Sequence, residues 1–143
     1  MPTRQAHARW EGSLKDGKGR VDFGNGAFAG DYSFASRFED GKGTNPEELL
    51  AAAHAGCFAM ALSLVLGQAG FTPTAIDATA HATVEPKYGG FRIAKSHLVC
   101  TARVPDLDQA AFSKYAEGAR ANCPVSQALA GTAITLEATL ATD

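Results

Sequence analysis

The stretch "GTNPEELLAAAHAGCFAMALSLVLG", residues 43–67, constrains this chain more than any other. It opens with helix-start chemistry. Thr44 or Asn45 can cap, Pro46 suits the first helical position, and Glu47 and Glu48 complement the positive end of the dipole. The helix should then run to about Gly67, with Gly70 and Pro73 marking its end. Its residues are apolar around most of the circumference, which predicts burial on nearly all sides. Residues 49 to 66 approach the roughly 18 apolar residues a membrane span needs. They are alanine-rich, however, and carry His54 and Ser63, so the reading is a central core helix, with no membrane contact, at a subunit interface.

The flanking segments read differently. Before residue 43, "GKGRVDFGNGAFAGDYSFASRFEDGKG" alternates around Val21 and Phe23 and has turn chemistry at "GNG". That predicts short antiparallel strands, a weaker one around Tyr32 and Phe34, and then a loop carrying Arg37. After Pro73, "IDATAHATVEP" and "FRIAKSHLVCTARV" read as strands joined by a turn at "YGG". "DLDQAAFSKYAEGARAN" is an amphipathic helix capped by Asp106 or Asp108, with Phe112, Tyr115, Ala116 and Ala119 at helical spacing. A short helix begins at Pro124. "TAITLEATLA" closes the chain as a strand with Ile134, Leu136 and Ala138 on one face. No repeat or linker interrupts the order, which describes one α+β domain over residues 1–143.

Composition narrows the function classes. A length of 143 residues fits one domain, and 45% hydrophobic with 20% charged residues is ordinary for a folded protein. A net charge of −2 and scattered Lys and Arg argue against nucleic acid as a partner. The polar start "MPTRQAHARWEG" lacks an apolar signal region, so the expected location is the cytoplasm. Three cysteines do not suggest a disulfide scaffold, and in a reducing compartment a cysteine pair points to catalysis, redox sensing or metal binding.

Each cysteine has its own local setting. Cys100 lies mid-strand among β-branched neighbours and reads as a small packing residue. Cys123, in "NCPVS", sits at a helix start, where free N–H groups and the dipole favour a thiolate. Chance placement there is equally compatible, so its role stays open. Cys57 is mid-helix, and burial alone would raise its pKa and keep it inert. For Cys57 to react, a positive group must come from elsewhere in the fold. His54, Cys57 and Cys123 could together offer zinc ligands, but one HxxC without a second pair is a weak signal. No hydrolase motif or phosphate-binding glycine loop is present.

"RFEDGKGTNPEELLAAAHAGCFAMALSLVLGQAGFTPTAID" followed by "GARANCPVSQAL" resembles the osmotically inducible protein C (OsmC) family. These are thiol-dependent peroxidases related to the organic hydroperoxide resistance (Ohr) proteins. The likeness extends from "AHARWEGSLKDGKGRV" to the final strand, and "HAGCFAMALSLVLGQAGFTP" is closer to the OsmC branch. The resemblance implies that Cys57 is the peroxidatic cysteine and Cys123 the resolving one. It also implies that Arg37 activates the Cys57 thiolate and orients the peroxide, while Glu47 orients Arg37.

Further expectations follow from the same resemblance. The fold would be an intertwined homodimer, with antiparallel sheets wrapped around long central helices and active sites at the subunit interface. Phe58 and Met60 would line a pocket for organic peroxides. No metal, haem or flavin would be needed, and the reductant would be a dithiol such as the dihydrolipoyl groups of lipoylated proteins. The alternative is a non-catalytic redox sensor or binding protein that uses the same cysteine pair as a switch.

Overall fold

A computed structural model describes residues 1–142. Its elements run β1 (Ala6–Glu11), β2 (Lys18–Phe23), β3 (Ala29–Tyr32), α1 (Phe34–Phe38), α2 (Pro46–Gln68), β4 (Ala75–Lys87), β5 (Gly90–Arg103), α3 (Gln109–Asn122), α4 (Pro124–Ala128) and β6 (Ala133–Leu140). The class is α+β, as expected. The chain divides into two compact units, Met1–Leu49 and the residues from Leu50 onward. Helix α2 starts in the first and runs through the second.

In the first unit, β1, β2 and β3 form an antiparallel sheet in chain order. Arg37 does not lie in a loop, because residues 34–38 form the short helix α1. The cause is a reciprocal cap. The Ser33 side chain accepts from the Ser36 N–H at 3.1 Å, while Ser36 Oγ accepts from the Ser33 N–H at 2.8 Å. Ser36 Oγ also donates to the Thr44 carbonyl at 2.7 Å, which ties the start of α2 to α1.

Asn45, not Thr44, caps α2, with its Oδ1 accepting from the Glu48 N–H at 2.8 Å. Its Nδ2 donates to the Ser36 carbonyl at 3.1 Å. The Asn45 amide is therefore satisfied at both ends, its oxygen by α2 and its nitrogen by α1.

The second unit holds the main core. Strands β4 and β5 make a long antiparallel hairpin, closed at Tyr88–Gly89, where Gly89 has φ +83°. The last strand corrects one expectation: β6 pairs with β5 in parallel, from Lys95↔Ala133 to Ala102↔Leu140. This sheet is thus mixed, not wholly antiparallel. The parallel pairing needs a crossover, and α3 with α4 supplies it. Asp108 caps α3, with its side chain accepting from the Ala111 N–H.

Inward-facing Ser96, Leu98, Cys100 and Ala102 alternate along β5. Phe112, Ala116 and Ala119 on α3 are buried in the same core. From α2 come His54, Phe58, Leu62 and Leu66, four residues apart, all fully buried. Burial of each large apolar side chain contributes about 1.5–3 kcal/mol.

Within the single chain, burial of α2 is one-sided. Ala52, Ala53, Gly56, Met60, Ser63, Leu64 and Gly67 face away from the core and are exposed. The helix is long and apolar enough to cross a membrane by length and composition alone. Its buried residues Phe58, Leu62 and Leu66 belong to the core cluster that includes Leu98 of β5 and Phe112 of α3.

Candidate active site

Two groups of candidate residues are assembled, one in each unit. In the first unit, Arg37 on α1 grips Glu47 on the opening turn of α2. Arg37 Nε donates to Oε1 at 2.9 Å and Nη2 to Oε2 at 3.1 Å. The guanidinium fork matches the carboxylate bidentately, an arrangement a lysine cannot reproduce. Glu47 is 8% exposed and Arg37 31%. The carboxylate is spent on positioning, while part of the guanidinium stays open. Arg37 also lies over the Phe38 ring, 5.1 Å from its centroid. A recess of about 420 Å³ beside it is lined by Trp10, Leu14, Tyr32, Phe34 and Phe38.

In the second unit, Cys57 on α2 and Cys123 at the junction of α3 and α4 are hydrogen-bond neighbours, and all three cysteines are free thiols. Burial pushes the Cys57 thiol above its ordinary pKa. The Val125 N–H opposes this by donating to the sulfur, and Cys123 raises it further through its side chain and charge. Among these influences only a backbone N–H favours the thiolate, and no cation contributes.

Cys123 is fully buried and caps α4 as its sequence position suggested. Its Sγ accepts from the Ser126 N–H at 3.3 Å. Pro124 at the first helical position carries no N–H, which leaves the sulfur to cap the next turn.

The remaining sequence candidates divide. Cys100 is buried in β5 with its thiol pushed up to about 11, first by burial and then by the Asp77 charge, as a packing residue should be. Phe58 is wholly enclosed in the core, so of the two expected pocket residues only Met60, 76% exposed, presents surface. His54 is not arranged as a metal ligand, because both ring nitrogens bond to serines: Nδ1 to Ser96 Oγ at 2.7 Å and Nε2 to Ser126 Oγ at 2.8 Å. No local sequence pattern marks Ser96 or Ser126 as functional. The available signal was His54 itself, in phase with Phe58, Leu62 and Leu66, because a histidine on a buried stripe needs buried partners.

Comparison with known proteins bears on this arrangement. The family model described as OsmC-like protein matches residues 39–139. Peroxiredoxin OsmC of Escherichia coli is 50% identical over 127 residues, covering 88% of this chain and 89% of that protein. Organic hydroperoxide resistance protein-like 2 of Staphylococcus epidermidis is 30% identical over 95 residues, 65% of each. Among solved structures, the organic hydroperoxide resistance protein OhrB of Bacillus subtilis superimposes with a TM-score of 0.72 at 25% identity. That match covers 96% of this chain and 98% of OhrB. A chain with this fold and these relatives is a cysteine-based peroxidase. It belongs to the OsmC family, so the resemblance carried by its two cysteine segments is borne out.

Proposed function

We propose that the protein reduces organic hydroperoxides in preference to hydrogen peroxide, with Cys57 as the attacking thiolate and Cys123 as the resolving thiol. The observation that carries this reading is the pairing of the two thiols as hydrogen-bond neighbours in one unit, while Cys100 is sealed elsewhere in the core. The Cys57 thiolate attacks the distal peroxide oxygen. The S–O bond forms, the O–O bond breaks, and the alkoxide takes a proton to leave as the alcohol. Cys123 then attacks the sulfenic acid, the disulfide forms, and water departs. An external dithiol restores both thiols and is itself oxidised to a disulfide. Dihydrolipoyl groups are the proposed donor.

Arg37 is the proposed source of the positive charge that Cys57 lacks. A guanidinium near a thiol lowers its pKa, and its remaining N–H groups can hold the peroxide oxygen. Glu47 keeps it aimed through the two-point grip. The aromatic recess beside Arg37 supports an organic substrate, because it offers apolar surface to the alkyl group. Met60 remains the candidate on α2 for that contact.

The working unit we propose is a cytoplasmic homodimer in which residues 1–143 act as one domain. What supports the dimer is the open apolar face of α2, where Met60 and Leu64 are 76% and 61% exposed. Arg37 would then serve Cys57 of its own chain or of a second copy.

The test is steady-state turnover of cumene hydroperoxide and of hydrogen peroxide, each with dihydrolipoamide or thioredoxin. Faster turnover of cumene hydroperoxide, lost in Cys57→Ser, is the expected result. Undiminished turnover in Cys57→Ser overturns the assignment. Stoichiometric oxidation with no turnover on any dithiol would instead favour a redox switch.

A further inference from the structure

The buried polar cluster around His54 has no part in the scheme above, yet it ends on one of its thiols. His54, Ser96, Cys123 and Ser126 come from α2, β5, the α3–α4 junction and α4, and none is more than 6% exposed. The hydrogen bonds run in one line. Cys123 Sγ–H donates to Ser126 Oγ at 3.2 Å, and Ser126 Oγ lies 2.8 Å from His54 Nε2. His54 Nδ1 lies 2.7 Å from Ser96 Oγ.

Proton counting fixes the direction. Ser126 Oγ already receives the thiol proton, so its own proton is free to go to His54 Nε2. A neutral imidazole accepting at Nε2 carries its proton on Nδ1 and donates it to Ser96. Burial lowers the His54 pKa, which keeps the ring neutral at rest and the Nε2 lone pair available.

We propose that His54 and Ser126 form a relay for the resolving step: Ser126 takes the Cys123 proton and His54, acting through Ser126, positions and receives it. This rests on the assignment of Cys123 as the resolving thiol. When Cys57 is a sulfenic acid, the proton moves from Cys123 Sγ to Ser126 Oγ as the Ser126 proton moves to His54 Nε2. The Cys123 thiolate attacks the Cys57 sulfur, the S–S bond forms and the S–O bond breaks. The departing hydroxide is neutralised by the proton held on His54, so one water is released and His54 ends neutral. His54 is thus a positioning residue for disulfide closure and takes no part in the attack on peroxide.

The inference separates the two half-reactions. One equivalent of cumene hydroperoxide is mixed with reduced protein. Sulfenate at Cys57 is followed by dimedone trapping, and the Cys57–Cys123 bond by quenched mass spectrometry. Ser126→Ala and His54→Gln should leave sulfenate formation within about twofold and slow closure by about tenfold or more, with sulfinate accumulating at Cys57. Ser126→Thr, which keeps the hydroxyl, should restore closure. Ser126→Ala carries the test if the buried His54 variant does not fold. Closure at the unsubstituted rate in Ser126→Ala overturns the relay, as does equal slowing of both half-reactions. Failure of the unsubstituted protein to form any Cys57 sulfenate overturns the underlying assignment instead, and the relay with it.

Discussion

Arg37 and Glu47 meet through two parallel hydrogen bonds of 2.9 and 3.1 Å, with the carboxylate buried and the guanidinium half open. That division of exposure suits an arginine held by one side and presented by the other. Under the proposed role of Arg37, Arg37→Ala should remove the positive charge offered to the Cys57 thiolate. An opposite charge shifts a thiol by about 1–3 pKa units, so at neutral pH the reaction with cumene hydroperoxide should slow by roughly tenfold or more. The variant also strands Glu47, a buried carboxylate, at a cost of about 1–3 kcal/mol. Arg37→Lys should fall between, with charge kept and the two-point grip lost. Stopped-flow oxidation and the pH dependence of Cys57 alkylation read both effects.

Cys100 offers a pH test that no catalytic assignment touches. Its thiol titrates at about 11 in the fold against an ordinary 9.0. The folded state therefore favours the neutral thiol. That stability is fully present below pH 9 and is lost as pH rises from 9 through 11, by up to roughly 3 kcal/mol. Thermal melts across alkaline pH should show a steeper loss in the parent than in Cys100→Ala. At neutral pH, Cys100 should be the slowest cysteine to alkylate.

The open face of α2 predicts a change of assembly without a change of fold. Met60→Lys places a charge on an exposed position, so the chain should keep its circular dichroism and lose self-association. Sedimentation velocity should show the parent as a dimer and the variant shifted to monomer. By contrast, Leu62→Ala two residues further on empties a fully buried site. It should cost about 2–5 kcal/mol, read by denaturant unfolding.

These residues also show what the sequence encodes locally and what it does not. The start of α2 is written in adjacent residues, Asn45, Pro46 and Glu48, so it is legible. Which face of α2 is buried is not, because its apolar residues surround the axis and periodicity gives no direction. Strand alternation in residues 133–140 gives the inner face of β6 but not its direction, and the parallel pairing with β5 depends on the crossover. Helix α1 is not legible in the sequence, because five residues are too few to show a period, although Ser33 and Ser36 carry its cap. The two thiols are legible through the motifs that surround them, while the His54–Ser126 link joins residues 72 positions apart and exists only in three dimensions.

The most direct test of the central claim is peptide mapping of the protein after one equivalent of cumene hydroperoxide, with free thiols blocked at quench. The account predicts a single Cys57–Cys123 disulfide within one chain and Cys100 recovered as the blocked thiol. A disulfide that includes Cys100, or oxidation that leaves Cys57 unmodified, would contradict it.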